Sequence, residues 1–211
     1  MPTQFDLSLF AAIHGFAAET LAPFEIGAAD WLVALVPLVL AALWICGRDG
    51  DRRAGITATL AAGLALAVSG LVSFLVFEPR PFMIGLAANV LDHAADSSFP
   101  SDHVAVMAAV TASLAFAGRF RVAWILAVAS GLVGVSRIAL GVHFPTDIVA
   151  GASIGICASA FLRSASLRPF VAFVVRVAET LSARTGLDRV LPPDVTPGSS
   201  RKDRPIRRNM P

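Results

Sequence analysis

The chain has 211 residues, of which 56% are hydrophobic and 15% charged, and a formal net charge of +2. That length suits one compact domain, and the charged fraction falls well below the quarter or so usual for soluble domains. Seventeen basic groups against fifteen acidic ones give no basis for a nucleic-acid partner.

The first thirty residues contain no Lys or Arg. The positive n-region of a secretory signal peptide is therefore missing, and insertion falls to internal apolar segments. Residues 7–21 are apolar but hold His14 and Glu19. They fit a helix that lies at the outer interface or re-enters the membrane, with a sixth span left open. A bilayer core asks for roughly 20 helical residues, and five later segments approach that length. Residues 28–46 are uncharged after Asp30, and residues 54–77 run for 24 positions without a charge. Residues 101–118, 122–140 (with Arg137 near the far end) and 145–162 follow. The reading is an all-α membrane bundle of about five transmembrane helices plus an N-terminal interfacial or re-entrant helix. Ala, Gly and Ser fill the segments and let helix backbones approach closely. Cys46 and Cys157 each lie in an apolar run without a metal-ligand neighbour. Both read as small buried hydrophobes, not as a disulfide.

After Pro169, Phe170, Phe173, Val177 and Leu181 recur at helical spacing among Arg176, Glu179 and Arg184. That pattern predicts an interfacial amphipathic helix. From Pro192 onward, Pro, Gly, Ser and Arg dominate, as in a disordered tail. The organisation expected is a membrane-embedded domain over 1–168 and a cytoplasmic amphipathic segment and basic tail over 169–211.

Charge placement sets the orientation. In a five-span arrangement, fifteen of the seventeen basic residues fall on one side. By the positive-inside rule that side is cytoplasmic, with the N-terminus outside and the C-terminus inside. The outer side holds only Arg80 and Arg137 as basic residues. Three short stretches meet there: EPRPF around Arg80, SFPSDH ending at His103, and SRIALGVHFPTD ending at Asp147.

Each stretch has a plain reading and a chemical one. Pro100 favours an extended chain, Ser101 suits an N-cap, and His103 falls in the first helical turn among free N–H groups. Such a helix start can hold an anion, which His103 can hydrogen-bond or protonate. The plain reading is a cap and a packed imidazole. Pro145 suits the first helical position, and His143 precedes Asp147 by four residues. Asp147 can orient the imidazole and leave its other nitrogen as a nucleophile, or it can simply cap the helix. Arg80 and Arg137 can clamp phosphate oxygens, or they can snorkel or pair with Glu78 and Asp102. Asp92, His93, Asp96 and Asp102 offer metal donors near the same face, but their spacing is no specific metal motif. They also read as solvated or entrance-tuning groups, together with Glu78.

These residues resemble the type 2 phosphatidic acid phosphatase superfamily. Its ordered pattern is Arg-Pro, then Pro-Ser-x-His, then Ser-Arg-x5-His-x3-Asp. Here it stands as Arg80-Pro81, Pro100-Ser101-Asp102-His103, and Ser136-Arg137 through His143 to Asp147. The fuller strings FEPRPFMIGL, DSSFPSDH and VGVSRIALGVHFPTDI look most like the undecaprenyl pyrophosphate phosphatase branch. One departure is Ser73, where the broad pattern has a Lys.

The resemblance implies a lipid phosphatase of the bacterial inner membrane, acting on a polyprenyl diphosphate at the outer face. His143 would attack, Asp147 would orient it, and His103 would protonate the leaving group. Arg80, Arg137 and Ser101 would hold phosphate, with no metal or cofactor required. Phosphatidylglycerophosphate, phosphatidate or diacylglycerol pyrophosphate are the alternative substrates. The family fold also serves vanadate haloperoxidases, which are soluble. A small permease or drug-efflux component is the alternative of another class. It fits poorly, because the polar groups gather at one end of the spans and leave their middles nearly free.

Overall fold

The computed structural model of the chain describes residues 2–20, 31–47 and 49–185, with residues 17–20, 49, 183 and 185 described by their backbone alone. The expectations for residues 28–30, for Arg48 and for the tail beyond Pro192 lie outside the described residues, as does the side chain of Glu19. Among the described residues seven α-helices follow in order: α1 (Gln4–Thr20), α2 (Leu35–Ile45, entered through a 3₁₀ turn at Leu32–Ala34), α3 (Asp49–Leu75), α4 (Asp102–Phe116), α5 (Phe120–Ala139), α6 (Pro145–Leu162) and α7 (Arg168–Thr185).

The architecture is an all-α membrane-embedded bundle. Gly50–Leu75, Phe120–Ala139 and Pro145–Leu162 are long and apolar enough to cross a bilayer, while Leu32–Ile45 and Asp102–Phe116 are apolar but shorter. Their outward faces are apolar too. Trp124, Ile125, Val128, Leu132 and Val135 of α5 are all exposed at helical spacing. A water-facing helix would carry polar groups there; a lipid-facing one needs none.

The same inversion corrects the reading of the cysteines. Cys46 and Cys157 are free and exposed. In lipid an apolar neighbourhood no longer implies the interior, so small thiols sit on the outer surface.

The short helix α4 is the central pillar, enclosed by α3, α5 and α6. Its Ala105, Met107, Ala109, Val110 and Leu114 have no exposed surface. Small residues on α6 make this possible. A Cβ on Gly151 would lie 2.4 Å from Ser101 O, and one on Gly155 would lie 2.3 Å from Ala105 O. One turn further on, Ser159 Oγ donates to Ala109 O at 2.6 Å. Gly151, Gly155 and Ser159 thus form one stripe four residues apart, and backbone meets backbone along it. This contact locks the helix starting with Pro-Ser-Asp-His against the helix that follows His143.

The N-terminal segment does form a helix. Thr3 and Asp6 cap it reciprocally: Asp6 N–H donates to Thr3 Oγ1 at 3.1 Å, and Thr3 Oγ1–H donates to Asp6 Oδ2 at 2.7 Å. α1 then packs on α5 and α6 at the end that holds the three motifs. At the other end of the bundle α7 turns back onto the start of α3, where Arg53 Nε meets Glu179 Oε1 at 3.1 Å. The expected division between 168 and 169 falls within its first turn.

Candidate active site

The three motif stretches meet at one end of the bundle. Two segments of irregular chain are pinned together to build it. Pro79 and Ser97 form an isolated antiparallel bridge, and Ser98 N–H donates to Glu78 O at 2.8 Å. A third connection ties the two helix starts, Ser101 N–H to Asp147 O at 3.1 Å. Phe99–Pro100 is a cis peptide. These contacts enclose a cavity of about 340 Å³ lined by Arg80, His103 and His143, with Ser73, His93, Asp96 and Asp102 around it.

His143 is held at the back of this cavity and is 3% exposed. Its Nδ1 lies 2.8 Å from Ser98 O and 3.4 Å from Asp147 Oδ2. A carbonyl can only accept, so Nδ1 carries the proton and Nε2 has the lone pair. Nε2 lies 3.5 Å from Arg80 Nη1. Burial pushes the imidazole below the ordinary histidine range; the Asp147 hydrogen bond opposes this, and the Arg80 charge adds to it. His93 is lowered as well, by burial and by Arg80.

Asp147 has two duties. Its Oδ2 accepts the Phe144 N–H at 2.7 Å, the cap that starts α6 behind Pro145. The same oxygen faces His143. The carboxylate is fully buried, and its Oδ1 has no hydrogen-bond partner among the described residues. Ser101 stands at the N-cap of α4, as its sequence context requires, but its side chain makes no cap hydrogen bond. Its buried Oγ is likewise without a partner among the described residues. Arg137 is buried in the last turn of α5 and is not among the residues that line the cavity.

Arg80 is 5% exposed and fully engaged. Asp96 Oδ1 sits 2.8 Å from both Nε and Nη2. Nη2 also donates to Ser97 O at 3.1 Å, and Nη1 to Val142 O at 3.1 Å. This corrects one reading of the acidic groups. The carboxylate on Arg80 is Asp96, not Glu78 or Asp102, and Asp96, which the sequence offered as a solvated or entrance-tuning group, makes this pair with a side chain 60% exposed. Asp102 instead accepts the Ser69 hydroxyl of α3 at 2.5 Å. Asp92 is exposed, in a left-handed conformation at φ 48°. Glu78 is half-buried, and its main-chain oxygen accepts the Ser98 N–H. Among the described residues, no three His, Cys, Asp or Glu side chains converge as a metal-binding group. Ser73, in place of the family's Lys, lines the cavity and donates to Phe99 O at 3.0 Å.

Several contributors escaped the sequence reading. The carbonyls of Ser97, Ser98 and Val142 orient Arg80 and His143, and no side-chain pattern announces them. Asp6 supports the site from α1: it is 1% exposed, and its Oδ1 accepts the Thr146 N–H at 3.1 Å. Phe10 stacks on His14 and packs against Phe144, while His14 Nδ1 lies 2.6 Å from Ala139 O. The Thr3-x-x-Asp6 spacing was the signal for the cap, though not for its reach to α6.

Arg80, His103 and His143 around one cavity, at the end of an apolar helix bundle, fit a membrane-embedded hydrolase of phosphate esters or anhydrides. Residues 54–169 match the model of the PAP2 superfamily, and the chain belongs to that family. It is 33% identical over 180 residues to the undecaprenyl-diphosphatase BcrC of Bacillus subtilis, which covers 83% of this chain and 93% of that protein. Two solved structures share the fold. Aquifex aeolicus LpxE superposes with a TM-score of 0.60 at 24% identity, covering 75% of this chain and 94% of its own. The transmembrane PAP2-type phosphatidylglycerolphosphate phosphatase of Bacillus subtilis gives 0.58 at 25% identity, covering 76% and 86%.

Proposed function

We propose that this chain removes the terminal phosphate of a polyprenyl diphosphate, undecaprenyl diphosphate above all, at the outer face of a bacterial inner membrane. The observation that carries the chemistry is the fixed tautomer of His143. Ser98 O accepts a hydrogen bond from Nδ1–H at 2.8 Å, which leaves the Nε2 lone pair free beside Arg80. The likeness to an undecaprenyl-diphosphatase supports the substrate, and the fifteen-to-two division of basic residues supports the orientation with about five spans.

The reaction runs in two displacements. His143 Nε2 attacks the terminal phosphorus, and a P–N bond forms as the bond to the bridging oxygen breaks. His103 gives a proton to that oxygen, and the lipid monophosphate leaves. His103, now neutral, takes a proton from water, whose oxygen attacks the phosphohistidine. Inorganic phosphate departs and the P–N electron pair returns to His143. Arg80 and Arg137 stabilise the charge on the transferring group, and Ser101 Oγ offers it a hydroxyl. The substrate phosphate must share or displace the Asp96 carboxylate on Arg80. Asp96 and His93 thereby tune entry, with Asp92, Glu78 and Asp102 at its margin.

Rapid-quench trapping with substrate labelled on its terminal phosphate tests this reading. Label should map to His143 and be absent from His143→Ala, whereas His103→Ala should still form some phosphoenzyme. Label on His103, or full turnover in His143→Ala, would refute the assignment. Initial rates on polyprenyl diphosphate, phosphatidylglycerophosphate, phosphatidate and diacylglycerol pyrophosphate decide the substrate.

A further inference from the structure

The opposite end of the bundle holds a second cavity, of about 530 Å³, between the start of α3, the end of α6 and the inner side of α7. Four guanidiniums surround it: Arg53 from α3, Arg163 at the C-cap of α6, and Arg168 and Arg176 from α7. Its floor is apolar, with Leu162 and Val175 buried. Along α3, the distance from Arg53 to Ser73 of the histidine cavity is roughly 30 Å.

Internal pairing leaves most of this charge available. Arg53 meets Glu179. Arg163, Arg168 and Arg176 meet no carboxylate among the described residues. Each spends a donor on a carbonyl instead, Arg163 on Phe116 O at 2.9 Å, Arg168 on Arg163 O at 3.4 Å and Arg176 on Ala172 O at 3.3 Å. A guanidinium has five N–H donors, so each retains a free edge for an anion.

Positive charge at this end follows from topology alone. A walled cavity does not, nor does a helix folded back to close it. α7 also bears a second apolar stripe that faces away from the bundle, with Phe170, Phe173, Val177 and Leu181 exposed. In a membrane-embedded chain that stripe belongs among acyl chains, with the arginines at phosphate depth. The surface asks for an anion with apolar tails attached.

We propose that this cavity binds the head group of an anionic phospholipid, its phosphodiester on Arg163, Arg168 and Arg176 and its acyl chains against the apolar lining of Leu162, Val171 and Val175, while the exposed stripe of α7 holds that helix at the membrane surface. Such a lipid clamps α7 to the bundle from the leaflet opposite the phosphatase site. The site is independent of which lipid is hydrolysed.

The test uses the full chain in neutral detergent, with phosphatidylglycerol, phosphatidylcholine and inorganic phosphate as probes. Native mass spectrometry counts retained lipid as its concentration is varied. Phosphatidylglycerol should bind saturably, and phosphatidylcholine about ten-fold more weakly, because choline offsets the phosphate charge. Each arginine near a lipid phosphate contributes roughly five-fold. The combined Arg163→Gln, Arg168→Gln and Arg176→Gln variant should therefore lose about a hundred-fold, and the matching Lys variant should keep most of the binding. If the triple variant does not fold, Arg168→Gln and Arg176→Gln alone carry the test, because both side chains are exposed. Equal retention of phosphatidylglycerol by wild type and Gln variants overturns the proposal, and so does equal retention of the two lipids. Displacement of lipid by millimolar inorganic phosphate would reveal a free-anion site and overturn the lipid assignment.

Discussion

Replacing Asp147 by Asn separates its two duties. Asn keeps the shape and an amide oxygen for the Phe144 N–H, which the carboxylate now accepts at 2.7 Å, so the cap of α6 survives. What disappears is the negative charge 3.4 Å from His143 Nδ1. At an effective dielectric of about 20, a full charge on the ring at that distance would be worth up to about 5 kcal/mol. Only the part that develops as Nε2 bonds to phosphorus acts on the rate. Taking about half gives 2–3 kcal/mol, or a kcat loss of roughly 30- to 150-fold. That is smaller than the roughly 10⁴-fold loss known where one carboxylate alone sets the tautomer, because here Ser98 O also holds the Nδ1 proton.

Stability should move the other way or not at all. The buried Asp147 Oδ1 has no partner among the described residues, so removing the charge also removes an uncompensated desolvation. Asp147→Ala, by contrast, loses the cap and about 1 kcal/mol. Phosphate release at saturating substrate gives kcat, and thermal unfolding in detergent gives the midpoint. A kcat within about three-fold of wild type would show that Ser98 alone orients the ring and that Asp147 only caps. A collapse of the midpoint in Asp147→Asn would show the opposite error, a structural carboxylate mistaken for a positioning one.

Four further outcomes follow from the same geometry. His143 is depressed below its ordinary value of about 6.5, so its neutral form persists as pH falls through that value. The acid limb of kcat/KM should lie below pH 6.5, and a limb at or above it would contradict the burial argument. Asp96→Asn frees two donors of Arg80 from a mostly exposed carboxylate. A pair of that kind is worth about 1 kcal/mol at most, so KM should fall by up to roughly five-fold; a raised KM would mean that Asp96 holds Arg80 ready for substrate. Gly155→Ala drives a Cβ to 2.3 Å from Ala105 O and should cost about 1–3 kcal/mol, whereas Gly63→Ala, with nothing within 4 Å, should be neutral in a melting experiment. Ala88→Cys, in a background lacking Cys46 and Cys157, should react with an impermeant thiol reagent in intact spheroplasts. Ala88 is exposed and spares the neighbouring Asn89, which is tied to His93 by two hydrogen bonds; labelling only after rupture would reverse the orientation.

Much of this fold was legible because lipid simplifies the code. Three of the long uncharged runs form helices long and apolar enough to cross a bilayer, and small residues among them allow close packing, as Gly151 and Gly155 do against Ser101 and Ala105. The same simplification misled where burial was concerned. Cys46 and Cys157 lie among apolar neighbours and are nonetheless exposed, because outside and inside look alike when the solvent is hydrocarbon.

The site was legible only as far as side chains carry it. Arg80, His103 and His143 line one cavity, and their motifs named them. The groups that aim them are mostly main chain: Ser98 O on His143, and Ser97 O and Val142 O on Arg80. Any residue supplies a carbonyl, so residue identity leaves no trace of such a role. The pairing of Asp96 with Arg80 was hidden for a different reason. A carboxylate 16 residues from an arginine is one of many in sequence, and only the Pro79–Ser97 bridge, which folds one loop across the other, brings it onto the guanidinium. A motif therefore names side chains that share the cavity. Whether the arginine is ready for substrate or occupied by its own loop is decided by backbone pairing that the motif does not encode.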